Sequence, residues 1–324
     1  MTWAPTTLPV LLDDSFPLPT AHPFTTKQAE EVGITRHVIA RLSREGLVRR
    51  VLKGVYAATQ VPDGLLLRAQ ALALVVPDDA AVTDWTPCWL HTGVLPPGDH
   101  LRVPPISIFR VPGKTRLRNK LCKSGERAFL TEDLMVLEGV TVTTPLRTAA
   151  DLGRLAPRDW ALAGMDALCR QGGFSKELLL ANVERFKRQR GVVQLRELAP
   201  LADPRSESPG ESVLRLRWLD LPNLPPPEPQ VSIRSADGRA VYRIDLGVEE
   251  LRFGAEYDGE EHHSSDEDRL HDLRRRRDLD ERFGWLVRPA TRVNVFGKDR
   301  DVEQLLHEGI REARRRLGRF GSPA

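Results

Sequence analysis

The sequence predicts an α+β chain built from several folded parts, and three observations carry that expectation. Stretches with apolar residues at helical spacing are interleaved with short alternating or β-branched runs. Glycine, proline and polar clusters separate them at intervals typical of compact domains. Finally, 324 residues with 40% hydrophobic and 29% charged content are enough to bury more than one core. The division expected is an arm at 1–22, a small helix-and-hairpin unit at 23–62, a mixed α/β middle region at 63–204 and an α/β domain at 205–324.

Composition narrows the function classes. The formal charge is only +3, but the pI is near 8.9 and the arginines are locally clustered, so a polyanion such as DNA is a permitted partner. Cys88, Cys122 and Cys169 are far apart and form no CxxC pair, which argues against a disulfide framework or zinc knuckle and fits a reducing cytoplasm. The most apolar stretch, Leu65 to Val76, contains Arg68 and Gln70 and stops at Pro77, so no membrane segment is expected.

Residues 1–22 carry several prolines and no period, and read as a loose arm. Thr25 and Gln28 then have the spacing of a capping box, opening a helix from Lys27 to Val32 that Gly33 stops. Thr35 caps a second helix, Arg36 to Glu45, with Val38, Ile39 and Leu42 inward and His37, Arg41 and Arg44 on the opposite face. Leu47 to Val51 and Gly54 to Ala58 form a hairpin around Lys53-Gly54 that carries Arg49, Arg50 and Lys53. Helix, turn, helix and basic hairpin make a winged helix-turn-helix, in which Arg36, His37, Arg41, Arg44, Arg50 and Lys53 are candidates for contact with DNA phosphates and base edges. A solvated protein-interaction module has the same outline. The run TTKQAEEVGITRHVIARLSREGLVRRVLKGVYA also resembles the N-terminal domain of AbiEi-like antitoxins of type IV toxin-antitoxin systems. That resemblance implies an autoregulatory winged helix and a cognate toxin protein as a further partner.

The middle region alternates amphipathic helices, short strands and proline-rich turns. Trp85, Trp89 and His91 read as aromatic core beside a buried or capping histidine. The run TTPLRTAADLGRL resembles a linker motif of the same antitoxin-like proteins, and Arg147 and Asp151 within it are spaced to pair on one helix. The basic run Lys187, Arg188 and Arg190 reads as a wet face.

After the polar stretch ADPRSESPG, Ser208, Pro209 and Glu211 fit N-cap, N1 and N3 of a helix. Val231 to Ile233 begins a strand that turns at Asp237-Gly238 and returns as Val241 to Val248. Simple alternation puts Tyr242, Ile244 and Leu246 on one face and Arg243 and Asp245 on the other. The next strand, Leu251 to Asp258, puts Glu256 and Asp258 opposite Phe253 and Ala255. Asp245, Glu256 and Asp258 can then meet, with Glu211 joining from the helix. Like charges so placed repel unless a cation joins them, and an all-oxygen donor set favours Mg²⁺ or Mn²⁺, which suits phosphodiester hydrolysis. Spacing alone fits equally well a solvated strand, a DG turn and a structural ion pair.

The runs ESPGESVLRLRWLDLPNLPPPEPQV, YRIDLGV, GAEYDGEEHHSSDEDR and RRRRDLDERFGWLVRP, in that order, resemble the very-short-patch-repair-endonuclease-like branch of the PD-(D/E)XK nuclease superfamily. The resemblance implies a restriction-endonuclease-like domain in which Asp245 is the first motif aspartate, Glu256 opens the second motif and Glu211 assists the metal. It also puts Asp258 where the superfamily has a lysine, a departure that points either to a lost activity or to a transferred role. His263, or else His262, is the candidate base. On the helix Asp268 to Phe283, Arg269, Arg274, Arg275 and Arg276 are candidates for backbone contact with DNA, although an arginine-rich exposed helix with internal pairs looks the same. A strand at Gly284 to Arg288 and a helix at Val302 to Leu317 close the domain. The leading expectation is a DNA-binding protein with a metal-dependent endonuclease-like domain. The alternative is a non-enzymatic repressor or antitoxin with a silent nuclease-like domain.

Overall fold

Thr25 opens the first helix as its spacing predicts. Its hydroxyl accepts the Gln28 N–H at 3.1 Å, and Gln28 Oε1 accepts the Thr25 N–H at 2.8 Å. The computed structural model describes residues 11–95, 106–114, 117, 122–235, 237–259 and 266–320, the side chains of 266–269, 271, 319 and 320 excepted. The chain separates into two compact units, 1–152 and 153–324. Among the described residues no helix is long and apolar enough to cross a membrane.

The first unit begins with β1 (Phe24–Thr25), α1 (Thr26–Glu31), α2 (Arg36–Arg44), β2 (Val48–Leu52) and β3 (Val55–Ala58), with the strands in the order β1-β3-β2. Ile34, Ile39, Leu42 and Leu47 form its core. The expected loose arm is corrected from residue 11 onward. Leu12, Phe16 and Leu18 are buried in that same core, and Phe16 lies 6.0 Å from the Phe24 ring. The Gln60 side chain holds the Leu12 backbone through both its N–H and its C=O. Two short helices and a hairpin leave an apolar side uncovered, and this segment covers it without any regular period of its own.

The unit continues through α3 (Leu65–Ala73), β4 (Ala81–Val82), α4 (Trp85–Thr92), β5 (Ile106–Arg110), β6 (Cys122–Glu126), β7 (Leu134–Leu137), β8 (Val140–Thr143) and α5 (Pro145–Leu155). Its five-stranded sheet has the order β6-β5-β4-β8-β7. The inner face of the hairpin is not free: Val51, Val55 and Ala57 share a core with Leu67, Leu72, Leu90 and Val142. Trp89 joins this core, and burial lowers the His91 pKa while its ring bonds the Thr143 backbone. Arg147 and Asp151 pair at 2.9 Å, and the pair extends to Asp133, Arg127 and Asp84 as a buried ionic network. Deleting one member would strand a buried charge, so the network reads as a structural lock on α5.

The second unit comprises α6 (Arg158–Arg170), α7 (Lys176–Asn182), α8 (Val192–Leu198), α9 (Pro209–Leu219), β9 (Glu228–Arg234), β10 (Ala240–Val248), β11 (Phe253–Asp258), α10 (Asp266–Phe283), β12 (Leu286–Thr291), α11 (Arg292–Val295) and α12 (Val302–Phe320). The boundary expected near residue 204 therefore lies inside this unit. Arg215 of α9 bonds Asp166 of α6 at 2.7 Å and the Leu201 carbonyl at 2.7 Å, which ties the polar stretch to the core. The four-stranded sheet has the order β12-β11-β10-β9, with β9, β10 and β11 antiparallel and β12 parallel to β11. A parallel pair needs a crossover, and α10 supplies it.

The faces of β10 depart from simple alternation. Tyr242 and Ile244 pack with Leu279, Trp285 and Ile233, whereas Leu246 and Val248 pack with Val213, Trp218 and Ile310. Ile244 and Leu246 thus serve opposite cores despite their even spacing. The switch falls at Asp245 and its neighbour on β9, Gln230, whose φ of 56° is a left-handed conformation unusual for a residue with a side chain.

Candidate functional site

Three parts of the second unit bring carboxylates together: the start of α9, the middle of β10 and the end of β11. Ser208 caps α9 by accepting the Glu211 N–H at 3.1 Å, with Pro209 at the first helical position. Gly210 lies so close to the Tyr257 ring of β11 that any Cβ there would overlap it. This close approach seats the helix start against the strand and buries Glu211.

The Glu211 carboxylate accepts the Glu207 N–H at 2.9 Å and Gln230 Nε2 at 2.8 Å. Burial raises its pKa. Asp245, at the face switch of β10, accepts the Tyr257 N–H at 2.8 Å. Burial, with the Glu211 charge next, pushes its carboxyl up to about 7, and Glu256 adds to the rise. Glu256 is engaged differently: Arg275 of α10 grips both its oxygens, at 2.6 and 2.7 Å. The same guanidinium donates to the Arg243 carbonyl at 2.7 Å and lies 5.7 Å from the Tyr242 ring centroid.

Asp245 therefore lies in the electrostatic field of both Glu211 and Glu256. The three are not gathered into a closed ligand shell: among the described residues no three His, Cys, Asp or Glu side chains stand ready to hold one ion. The cause is visible in the hydrogen bonds, since Gln230 and Glu207 hold Glu211 and Arg275 holds Glu256. The donor chemistry nevertheless fits a hard divalent ion. All the groups offer oxygen, burial and the Glu211 and Glu256 charges disfavour a bare Asp245 carboxylate, and among the described residues Gln230 Oε1 is a buried oxygen with no partner.

Asp258 lies 3.7 Å from Arg276, so α10 faces both β11 carboxylates. Arg275 and Arg276 thus meet carboxylates rather than standing free for phosphates, while Arg274 is exposed and has no ion pair among the described residues. Arg277 and Arg282 pair within the helix, with Glu281 and Asp278. His262 and His263, and the Arg269 side chain, lie outside the described residues. Gln230 was not singled out from the sequence. Its only signal there is a polar residue that follows three prolines and a Glu-Pro pair just before an alternating strand.

In the first unit the cations of the helix and hairpin have the exposure a nucleic-acid surface needs. Arg36, His37, Arg44, Arg50 and Lys53 are exposed, Arg41 is half-buried, and Arg36 pairs with Glu30 at 3.1 Å. Arg49 instead folds back onto the Val61 carbonyl at 2.6 Å.

Comparison with known proteins gives one family match and two relatives. Residues 21–59 match a family described as transcriptional regulator, AbiEi antitoxin. Two proteins of Mycobacterium tuberculosis, from strains CDC 1551 / Oshkosh and ATCC 25618 / H37Rv and each described as uncharacterized, are 35% identical to this chain over 156 residues. That match takes in 48% of this chain, which spans about half of each relative, 56% of its length. The segment that the sequence reads as a winged helix is thus similar to an antitoxin transcriptional regulator.

Proposed function

We propose that this chain is a DNA-binding protein that uses its N-terminal winged helix to engage duplex DNA and carries a metal-dependent phosphodiester-hydrolysing centre in its second unit. The DNA-binding part is supported by the antitoxin-regulator match over residues 21–59 and by the exposed cations of α2 and the hairpin. A cognate toxin protein is a further partner consistent with that match.

The hydrolytic part rests on one observation above the others: Glu211 of α9 and Glu256 of β11 both act on Asp245 of β10, whose carboxyl pKa is pushed up by burial and then by their charges. The order helix, three antiparallel strands, crossover helix and parallel strand agrees with a restriction-endonuclease-like domain. In this reading Asp245, held by the Tyr257 N–H, and Glu256 and Glu211 would hold a Mg²⁺ or Mn²⁺ ion. When bound, the ion supplies charge for the phosphodiester transition state and lowers the pKa of water. His263 or His262 would take the proton from the attacking water.

A second reading is favoured by a specific feature. Asp258 stands at the lysine position and Arg275 occupies Glu256, which suits a repressor or antitoxin with a catalytically silent domain. Incubating the protein with supercoiled plasmid in Mg²⁺, Mn²⁺ or EDTA separates the two. Metal-dependent nicking that disappears in Asp245→Ala and Glu256→Ala is the expected result. Salt-sensitive DNA binding without nicking would select the repressor.

A further inference from the structure

A carboxylate that is to hold an ion must have free oxygens, and Glu256 has both of its oxygens on Arg275. The guanidinium fork is not held by Glu256 alone. Its Nη2 also donates to the Arg243 carbonyl of β10, and its Cζ lies 5.7 Å from the Tyr242 ring centroid, so it has a seat on the sheet. The partnering is strong for its place, since the Arg275 and Glu256 side chains are 23% and 16% exposed. Arg243, one strand over, points its own guanidinium at Glu207 instead, at 2.6 Å. Arg276 adds a further positive charge beside Asp258, and among the described residues only Arg275 sits on a candidate metal ligand.

We propose that Arg275 and a divalent ion compete for Glu256, so that Arg275 is a positioning residue that keeps the carboxylate oriented until an ion takes it. This rests on the metal-site reading above and adds to it the reason why the carboxylates are not already gathered.

The test is calorimetric titration of the whole chain with Mn²⁺, without DNA. Arg275→Gln removes the competitor, and the Mn²⁺ Kd is expected to fall by about tenfold, the scale of a charge-assisted hydrogen bond. Arg275→Lys keeps the charge but not the fork and should lie in between. Arg243→Gln removes a nearby charge that holds no candidate ligand, and should change the Kd by less than about twofold. Adding Glu256→Gln to Arg275→Gln should abolish the gain, because the contested carboxylate is gone.

Equal tightening by Arg243→Gln and Arg275→Gln would overturn the proposal, because general charge would then explain it. An unchanged Kd in Arg275→Gln, or no Mn²⁺ binding by any variant, would overturn it too. Should Arg275→Gln fail to fold, the Arg275→Lys titration decides, with an unchanged Kd again overturning the proposal. The hydrolytic reading fails separately. Tightening without any plasmid nicking leaves the competition standing, and nicking with an unchanged Kd leaves the hydrolysis standing.

Discussion

Asp245 is predicted to destabilise the metal-free protein above neutral pH, and Asp245→Asn to relieve it. A carboxyl raised from 3.8 to about 7 binds its proton more tightly in the folded chain than in the unfolded one. Its unfavourable effect is therefore absent below pH 4, grows between about pH 4 and 7, and is complete above. The full shift corresponds to roughly 4 kcal/mol. Asp245 is only half-buried, and water on its open side screens part of this, which leaves an expected gain of about 1–3 kcal/mol for the asparagine at pH 8. Asparagine keeps an oxygen for the Tyr257 N–H, so the substitution removes the charge and spares the bond. The assay is thermal denaturation in EDTA at pH 4, 6 and 8. The variant should melt several degrees higher at pH 8, with the difference shrinking toward zero at pH 4. A variant that is destabilised to the same extent at every pH would refute the reasoning, because Asp245 would then act through its shape rather than its charge.

Removing Arg44, Arg50 and Lys53 together to alanine should weaken duplex binding and make the slope of log affinity against log salt less negative by about 1 per lost phosphate contact, read by fluorescence anisotropy. An unchanged slope would place the DNA surface elsewhere. Phe16→Ala should cost about 3–4 kcal/mol in urea unfolding of the first unit, because the ring is 4% exposed and packed on Phe24. A loss below about 1 kcal/mol would mean that the segment adds little to the core.

Local chemistry was legible in the sequence where it was decided within a few residues. The Thr25 and Gln28 box, the Thr35 and Ser208 caps, the basic hairpin and the Arg147–Asp151 pair all depend on neighbours within about one helical turn, and all form. The docking of residues 11–18 was not legible, because what buries Leu12, Phe16 and Leu18 is a gap left by elements further along the chain. The same holds for residue 204, where the apparent break is closed by Arg215 reaching Asp166 across 49 positions.

The candidate site shows the same division. Which strands carry Asp245 and Glu256 could be read from alternation, because those positions differ in polarity from their neighbours. Where their oxygens go could not. Alternation assigns Ile244 and Leu246 to one face, and the pair Gln230 and Asp245 breaks it, at the cost of a left-handed glutamine. A non-glycine residue holds such a conformation only when its surroundings compensate about 1 kcal/mol or more of strain. Here the Glu211 hydrogen bond is one compensation on view. That strain brings the Gln230 amide to Glu211, on the strand that pairs with β10 at Asp245. It therefore serves the same end as the Gly210 contact with Tyr257, which is to keep acidic groups close together in a chain that gains no stability from their proximity.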